Sequence, residues 1–428
     1  RFSGVKMNDI QQHNFLELGS IRHIQSEQEA LDIAKAVAKQ LTEFAQDPQY
    51  NKSVPYEQAR LISEAGLTAI IVPQQFGGLG ASITTLVNVV KIISSADGGV
   101  GQLLQIHFTM FRVILTGYED DIRDQLLRDV LSGKRLGNAL AEVGGKDKFQ
   151  HKTRVERNSQ GQLILNGSKF YSTGSLLAEW ISLFAGSDDG PVSILIHRDT
   201  HGVELLDDWD AMGQNNSVSG TVNFKDVVVD ERYVAKRNTG GLGTVLRTGL
   251  TWPQILHAAM DTGIAKGALE GGIDYLQQNA RPWVESGVDS PTQEPHIIKQ
   301  IGEFAVMVRS AEALLDRSAA IFEQHLTNLE DEALQTELIL SVAATRSQSD
   351  HASLKISSEI FGLLGASSTL SKWNLDRFWR NARTHTTHDP IRWRLYHVGN
   401  YYLNNIPPGE YNSVLLKKQA ENVTKFKS

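Results

Sequence analysis

Two imidazoles three residues apart, with a carboxylate directly after the second, stand in His385-Thr386-Thr387-His388-Asp389-Pro390. Imidazole titrates near neutral pH, so such a pair can pass protons at a reacting centre or offer two nitrogens to a metal. A metal would want the pair on a regular helix. Pro390 and the β-branched Thr386 and Thr387 work against one, and no further ligand cluster accompanies them. The chain has no cysteine, which removes disulfides, thiolate metal sites and thiol nucleophiles. Acid–base work beside a cofactor is the chemistry this segment offers, against the plainer reading of hydrogen-bonded loop histidines.

Other residues carry weaker signals. His107 lies in the apolar run Leu103-Leu104-Gln105-Ile106-His107-Phe108, where a core histidine with both nitrogens satisfied is the ordinary expectation. Trp209 can stack on a planar ligand or fill a core. Arg377, Arg380 and Arg383, spaced by three, suit an anion, a subunit contact or a solvated helix face. Gly77-Gly78-Leu79-Gly80 and Thr239-Gly240-Gly241-Leu242-Gly243 lack the spacing and the βαβ surroundings of a dinucleotide loop, so tight turns are expected.

The elements that must hold these residues change type along the chain. Ser26-Glu27-Gln28-Glu29 reads as a capping box opening a helix, and further helices are predicted over Tyr56–Ala65, Thr84–Ser95, Gln102–Thr116 and Asp120–Leu131. After about Gly133 short β-type runs take over: Thr153–Glu156 and Leu163–Asn166 around an Asn158–Gly161 turn, then Trp180–Ala185, Val192–His197 and Thr221–Phe224. From Gly241 the periodicity is helical again over Leu250–Asn279, Glu294–His325 and Glu332–Gly362, which suggests an antiparallel bundle. The expected fold is mainly α with a central β domain: a tail over 1–25, a helical domain over 26–134, a sandwich or barrel over 135–240, and a four-helix bundle over 241–428.

A chain of 428 residues with 41% hydrophobic and 21% charged residues is an ordinary globular composition of more than one domain. The net charge of −7 gives no reason to expect nucleic acid or an acidic membrane as partner. The first residues show no secretory pattern and no apolar run is long enough to span a bilayer, so a cytoplasmic enzyme is expected.

Four segments, in order, resemble the acyl-CoA dehydrogenase superfamily: Val72-Pro73-Gln74-Gln75-Phe76-Gly77-Gly78-Leu79-Gly80; Leu165-Asn166-Gly167-Ser168-Lys169-Phe170-Tyr171-Ser172-Thr173-Gly174; Trp209-Asp210-Ala211-Met212-Gly213 with Val222–Val229; and Asp376–Arg383. Within it, Arg377–Pro390, Ala280-Arg281-Pro282-Trp283 and Gly302-Glu303-Phe304 are similar to the branch of dibenzothiophene monooxygenase and related sulfur-acquisition oxygenases. The dehydrogenases' Thr-Glu-Pro loop stands here as Ala141–Asp147, and their Gln-x-x-Gly-Gly segment as Phe361–Ala366. That departure suits FMN, which has no adenosine half, better than FAD.

The resemblance implies a two-component oxygenase that takes reduced FMN from a separate NAD(P)H-dependent reductase. It activates O2 as a C4a-peroxyflavin and oxygenates a small, organosulfur substrate. It further implies that Thr173 bonds the flavin near N5, Trp209 walls its pocket, Asn138 and His107 line the substrate side, and His388 with His385 exchanges protons. Arg281 would hold the flavin phosphate across a homotetramer interface. Two alternatives stay open: an FAD-dependent acyl-CoA dehydrogenase with Asp389 at the position of the catalytic glutamate, and an idle scaffold of the same fold.

Overall fold

The computed structural model describes residues 18–47, 50, 53–143, 152–235 and 251–408. Most of the N-terminal tail, the Gly144–Asp147 part of the Ala141–Asp147 loop, the Thr239–Gly243 turn and the junction at 240/241 lie outside the described residues.

Ser26 opens α1 (Glu27–Phe44) as its sequence predicts. Its hydroxyl accepts from the Glu29 N–H at 3.2 Å, and the Glu29 carboxylate reaches back to the Gln25 N–H at 2.9 Å. α2 (Tyr56–Glu64), α3 (Ile83–Ala96), α4 (Gly98–Gly117) and α5 (Asp120–Leu131) complete the first helical layer. α4 starts four residues earlier than its periodicity suggests, through the glycine-rich Gly98-Gly99-Val100-Gly101. Asp97 explains this: its carboxylate accepts from the Gly99 and Val100 N–H groups at 2.6 and 3.2 Å, a cap strong enough to carry poor helix formers. The Gly77–Gly80 segment is a tight turn folded onto its own backbone, with Gly80 N–H donating to the Val72 carbonyl at 2.8 Å.

The middle of the chain forms two packed sheets. β1 (Leu136–Ala139), β4 (Trp180–Ala185) and β5 (Val192–His197) make a three-stranded sheet in the order β1-β4-β5. β2 (Arg154–Arg157), β3 (Leu163–Lys169), β6 (Val203–Leu205) and β7 (Val222–Val229) make a four-stranded one in the order β2-β3-β7-β6. Alternate residues such as Leu165, Ile181, Leu183, Ile194, Val222 and Phe224 meet between the sheets. β7 runs five residues past its predicted end. A kink at Asp226 (φ 52°), held by its N–H donating to Asn166 at 2.8 Å, lets Val227–Val229 continue the ladder. β1 and β6, at four and three residues, are too short to carry a periodicity and were not expected.

The last third is helical: α6 (Thr251–Gln278), α7 (Pro295–Thr327), α8 (Glu332–Glu359), α9 (Asp376–His385) and α10 (Arg392–Asn404). α6 packs against α3, α7 and α8 and is buried on nearly every side. Arg377, Arg380 and Arg383 do not form one face of α9. Arg377 turns inward, its guanidinium 4.0 Å from the Phe378 ring centre and bonded to the Asn374 carbonyl at 2.9 Å. Arg380 pairs with Asp376 at 2.8 Å, and Arg383 is exposed. Three-residue spacing drifts around a helix of 3.6 residues per turn, which is why the arginines separate.

α3 and α6 approach so closely that side chains are excluded between them. A Cβ at Gly267 would stand 2.0 Å from the Ser95 carbonyl oxygen. Gly302, on α7, has nothing within 4 Å of that position. Gly267→Ala is therefore expected to lower the melting temperature, with overpacking worth about 1–3 kcal/mol. Gly302→Ala should leave it unchanged or raise it, by up to about 1 kcal/mol of helix propensity. Calorimetry of the two variants checks both signs.

Candidate active site

α6 places His257 and Asp261 one turn apart on the same face. Asp261 has no exposure, and two donor side chains meet it. Arg346 of α8, also fully buried, donates from its guanidinium to Asp261 Oδ2, and its Nε reaches Gln254 at 3.2 Å. His385, the last residue of α9, donates from Nδ1 to Asp261 Oδ1 at 2.6 Å. His385 Nε2 lies 2.8 Å from His257 Nδ1, so neither of its nitrogens is left for a metal. The helix ends there as the two threonines and Pro390 suggest, and the following turn carries His388 and Asp389. The His388 ring is exposed and lies against His257, with centroids 4.7 Å apart.

Asp389 is no free base. Its Oδ2 accepts from Arg394 at 2.6 Å, while its Oδ1 sits 3.5 Å from both Arg346 and His388. Burial alone would raise its pKa, but His388, Arg346 and Arg394 outweigh burial and hold the carboxyl far below its usual range. Asp261 behaves alike: burial works against its charge, and His385 and Arg346 overcome it. Burial, followed by the neighbouring charges of His388, His385 and Arg346, holds His257 neutral well below the usual imidazole range.

The β side of the site is a chain of hydroxyls beside three aromatic rings. Thr173 Oγ1 lies 2.9 Å from Ser219 Oγ, which lies 2.7 Å from Ser217 Oγ. Trp209 donates its indole N–H to the Gln214 carbonyl at 3.0 Å, and its ring centre is 6.2 and 5.9 Å from those of Phe170 and Tyr171. Asn138 Oδ1, Ser172 Oγ and both amide atoms of Gln214 are buried without a partner. Orphaned buried polar atoms are rare, and these cluster beside a wall of rings. That donor and acceptor set fits a planar heteroaromatic group with polar edges, as an isoalloxazine is. Of six described non-glycine residues at positive φ, three (Tyr171, Gln214 and Val218) flank the hydroxyl chain, and such strain collects at functional sites.

The two halves are joined. Gln214 N–H donates to Asn381 Oδ1 at 2.8 Å, and Asn381 lies one turn before His385 on α9. Asn216 donates to Asp97 at 2.6 Å, fastening the same loop to the start of α4. Glu142 anchors the described part of the Ala141–Asp147 loop, accepting from Lys169 at 2.6 Å and from the Lys152 and Thr153 N–H groups at 2.7 and 3.1 Å.

Several residues sit differently from expectation. His107 offers no free nitrogen: Nδ1 accepts from the Leu136 N–H at 3.1 Å, so Nε2 carries the hydrogen and donates to the Thr68 carbonyl at 2.9 Å. Arg281 is exposed just beyond α6 and, among the described residues, has no ion-pair partner. His257, Asp261, Arg346, Ser217 and Ser219 were not anticipated. The signal for the first two was available: two ionisable residues at i and i+4 inside Ile255–Ile264, an otherwise almost wholly apolar and small stretch.

Burial, partly offset by the Thr68 bond, pushes the His107 imidazole down to about 4 from its model-compound 6.5. Its folded form binds fewer protons than its unfolded form between those values. The stability it contributes is therefore complete above pH 6.5 and lost as pH falls toward about 4. His107→Gln, which cannot be protonated, should flatten the melting-temperature profile across that window, while the share due to His257 persists. A variant profile as steep as that of the parent protein would show that His107 does not drive the loss.

A profile of the acyl-CoA dehydrogenase N-terminal domain matches residues 25–134, and one of the C-terminal domain matches residues 255–393. A dibenzothiophene monooxygenase of Mycolicibacterium goodii is 31% identical over 370 residues, which cover 82% of this chain and 88% of that protein. A probable FMNH2-dependent monooxygenase of Pseudomonas putida is 26% identical over 391 residues, covering 89% and 96%. The crystal structure of FMN-bound TdsC from Paenibacillus sp. matches with a TM-score of 0.81 at 28% identity, over 89% of this chain and 98% of that one. Butyryl-CoA dehydrogenase from Megasphaera elsdenii, at 18% identity and a TM-score of 0.76, shares the fold. With both terminal profiles matched and relatives aligned over most of their length, the chain belongs to the acyl-CoA dehydrogenase family, in the branch that contains the dibenzothiophene monooxygenases.

Proposed function

We propose that this protein is a flavin-dependent monooxygenase that receives reduced FMN from a separate NAD(P)H-dependent reductase and transfers one oxygen atom of O2 to a small organosulfur substrate. The observation that carries the reading is the state of Asp389. The residue at the position of the dehydrogenase base is an ion-paired carboxylate held far below its usual pKa, and the exposed group beside it is an imidazole. A carboxylate in two ion pairs is a poor base for a carbon acid, whereas an imidazole is matched to proton exchange near neutral pH. The names of the relatives point the same way.

Reduced FMN, when bound, supplies the electron pair that activates O2. The chain's own residues do the rest. Thr173, backed by Ser219, would offer its hydroxyl to the flavin ring, and the unpartnered Asn138 Oδ1 would serve as an acceptor toward it. Trp209, Phe170 and Tyr171 would wall one side of the ring, and bound flavin must be shielded further, since activated oxygen exposed to water is lost as hydrogen peroxide. His388 holds and delivers the proton at its ring nitrogens. His107 acts through position, tying α4 to the start of β1 two residues before Asn138. Arg281, exposed beyond α6, holds the flavin phosphate of a neighbouring subunit in a homotetramer.

Three results test the reading. His388→Ala should cut product formation on the order of 10²–10⁴-fold while oxygen uptake continues and hydrogen peroxide accumulates. Arg281→Ala removes a charge-assisted pair and should weaken FMN binding about ten-fold, read by fluorescence titration. The parent protein mixed anaerobically with oxidised flavin and acyl-CoA should not bleach the flavin. Bleaching would establish the dehydrogenase instead, and absence of flavin binding under all conditions would leave only a scaffold.

A further inference from the structure

His257 connects the exposed histidine to the buried ion cluster, and hydrogen-bond rules place its protons. Asp261 is an ionised acceptor, so His385 Nδ1 carries the hydrogen of their 2.6 Å contact. A single hydrogen lies between His385 Nε2 and His257 Nδ1, 2.8 Å apart. With both rings neutral it belongs to His257, because His385 already carries its own on Nδ1. His257 Nε2 is then a bare acceptor, and among the described residues no group hydrogen-bonds to it. Its ring faces that of His388 at 4.7 Å and 38°. A rotation of the exposed His388 ring, or one bridging water, completes the connection.

We propose that His257, His385 and Asp261 form a proton store behind His388, loaded and unloaded through His257 Nε2, an inference that rests on the oxygenase reading and gives the site a second proton. In loading, a proton from His388 forms the His257 Nε2–H bond. The His257 Nδ1–H bond breaks as its proton passes to His385 Nε2. The positive charge ends on His385, against the Asp261 carboxylate, and His257 is neutral again with its tautomer inverted. Unloading runs the same bonds in reverse, and no electron or co-reactant takes part.

The surrounding charges set the balance. Asp261 from α6 favours the loaded state, and Arg346 from α8 opposes it at the same carboxylate. Asp350, also on α8, is pushed up to about 6 by burial and by the charge of Asp261. Arg383 of α9, His388 and Asp389 of the turn, and Arg394 of α10 complete the set, with Asp389 drawing the charges of Arg346 and Arg394 toward itself. His388 passes one proton at a time, and a store behind it supplies a second without waiting for exchange with bulk water at the exposed ring.

The test uses the full chain in two arms. The first, without flavin, follows low-field imidazole N–H resonances of 15N-histidine-labelled protein from about pH 5 to 9, where histidines exchange protons. The His385 Nδ1–H resonance should move upfield in Asp261→Asn, whose amide oxygen still accepts but carries no charge. Its titration should be lost, or move by about one pH unit or more, in His257→Phe. The second arm measures single turnovers with FMNH2 and O2. His257→Phe should cut the fraction of oxygenated product about ten-fold or more, shifting its pH profile, with FMN affinity and melting temperature close to those of the parent. His257→Gln keeps a donor to His385 but has no second ring nitrogen, so it should behave alike and serves if the phenylalanine variant does not fold. A parent-like titration in either folded variant overturns the store. If the parent protein oxygenates nothing, the oxygenase reading fails while the resonance titration still decides the store.

Discussion

A carboxylate with no exposure to solvent, Asp261, is the constraint on which the C-terminal part of the structure turns. An isolated charge at that depth would cost far more than any single contact returns, so it must be paired and its oxygens must be filled. Arg346 takes one oxygen and His385 the other. Those two contacts tie α6, α8 and α9 to one another at a single point, with the registers of three helices set together. A slip of one residue in any of them would leave a buried charge unpaired. The same pairing places the end of α9, and with it the turn that carries His388 and Asp389.

A second fastening brings the β sheets to this corner. The loop over 209–220 runs between the four-stranded sheet and α9, and its backbone is bonded to Asn381 while its Asn216 is bonded to Asp97. Asp97 in turn caps α4 and accepts from the Tyr50 hydroxyl. One carboxylate thus joins the first helical layer, the sheet loop and a helix start, and the strained Gln214 and Val218 backbones are held by their neighbours rather than by preference. The loop beside the hydroxyl chain at Thr173 is thereby bonded to the helix that ends in His385, though the two segments lie some two hundred residues apart in sequence.

Legibility in the sequence followed the physics of each feature. Long helices were readable because burial imposes a period of 3.6, and Asp120–Leu131 is found as expected to the residue. Trp180–Ala185 and Val192–His197 were readable because both are unbroken β-type runs bounded by turn residues. The early start of α4 was not, since a cap overrode glycine's poor propensity. At the site, His385 and His388 stood out because polar residues crowd around them. His257 and Asp261 did not, because they are single ionisable residues in a helix whose apolar surroundings look like core. What identifies them is pairing across α6, α8 and α9, a relation between distant segments that local pattern does not carry. His107 shows the converse: its segment reads as core, and both its nitrogens are indeed taken by backbone groups.

Asp389 and His388 are neighbours on one turn, yet their surroundings treat them differently. In a site that removes a proton from carbon, a carboxylate must be ionised yet not stabilised as an ion, which requires that cations be kept away from it. Here Arg346 and Arg394 do the opposite, and a carboxylate so held gives up its basicity in exchange for fixing the turn. The adjacent side chain, His388, makes only a long contact of 3.5 Å with that carboxylate. Its ring is exposed and inclined at 38° to that of His257, which burial holds neutral. A carboxylate on such a turn keeps the basicity a carbon acid demands only where arginines do not reach it, and here two do.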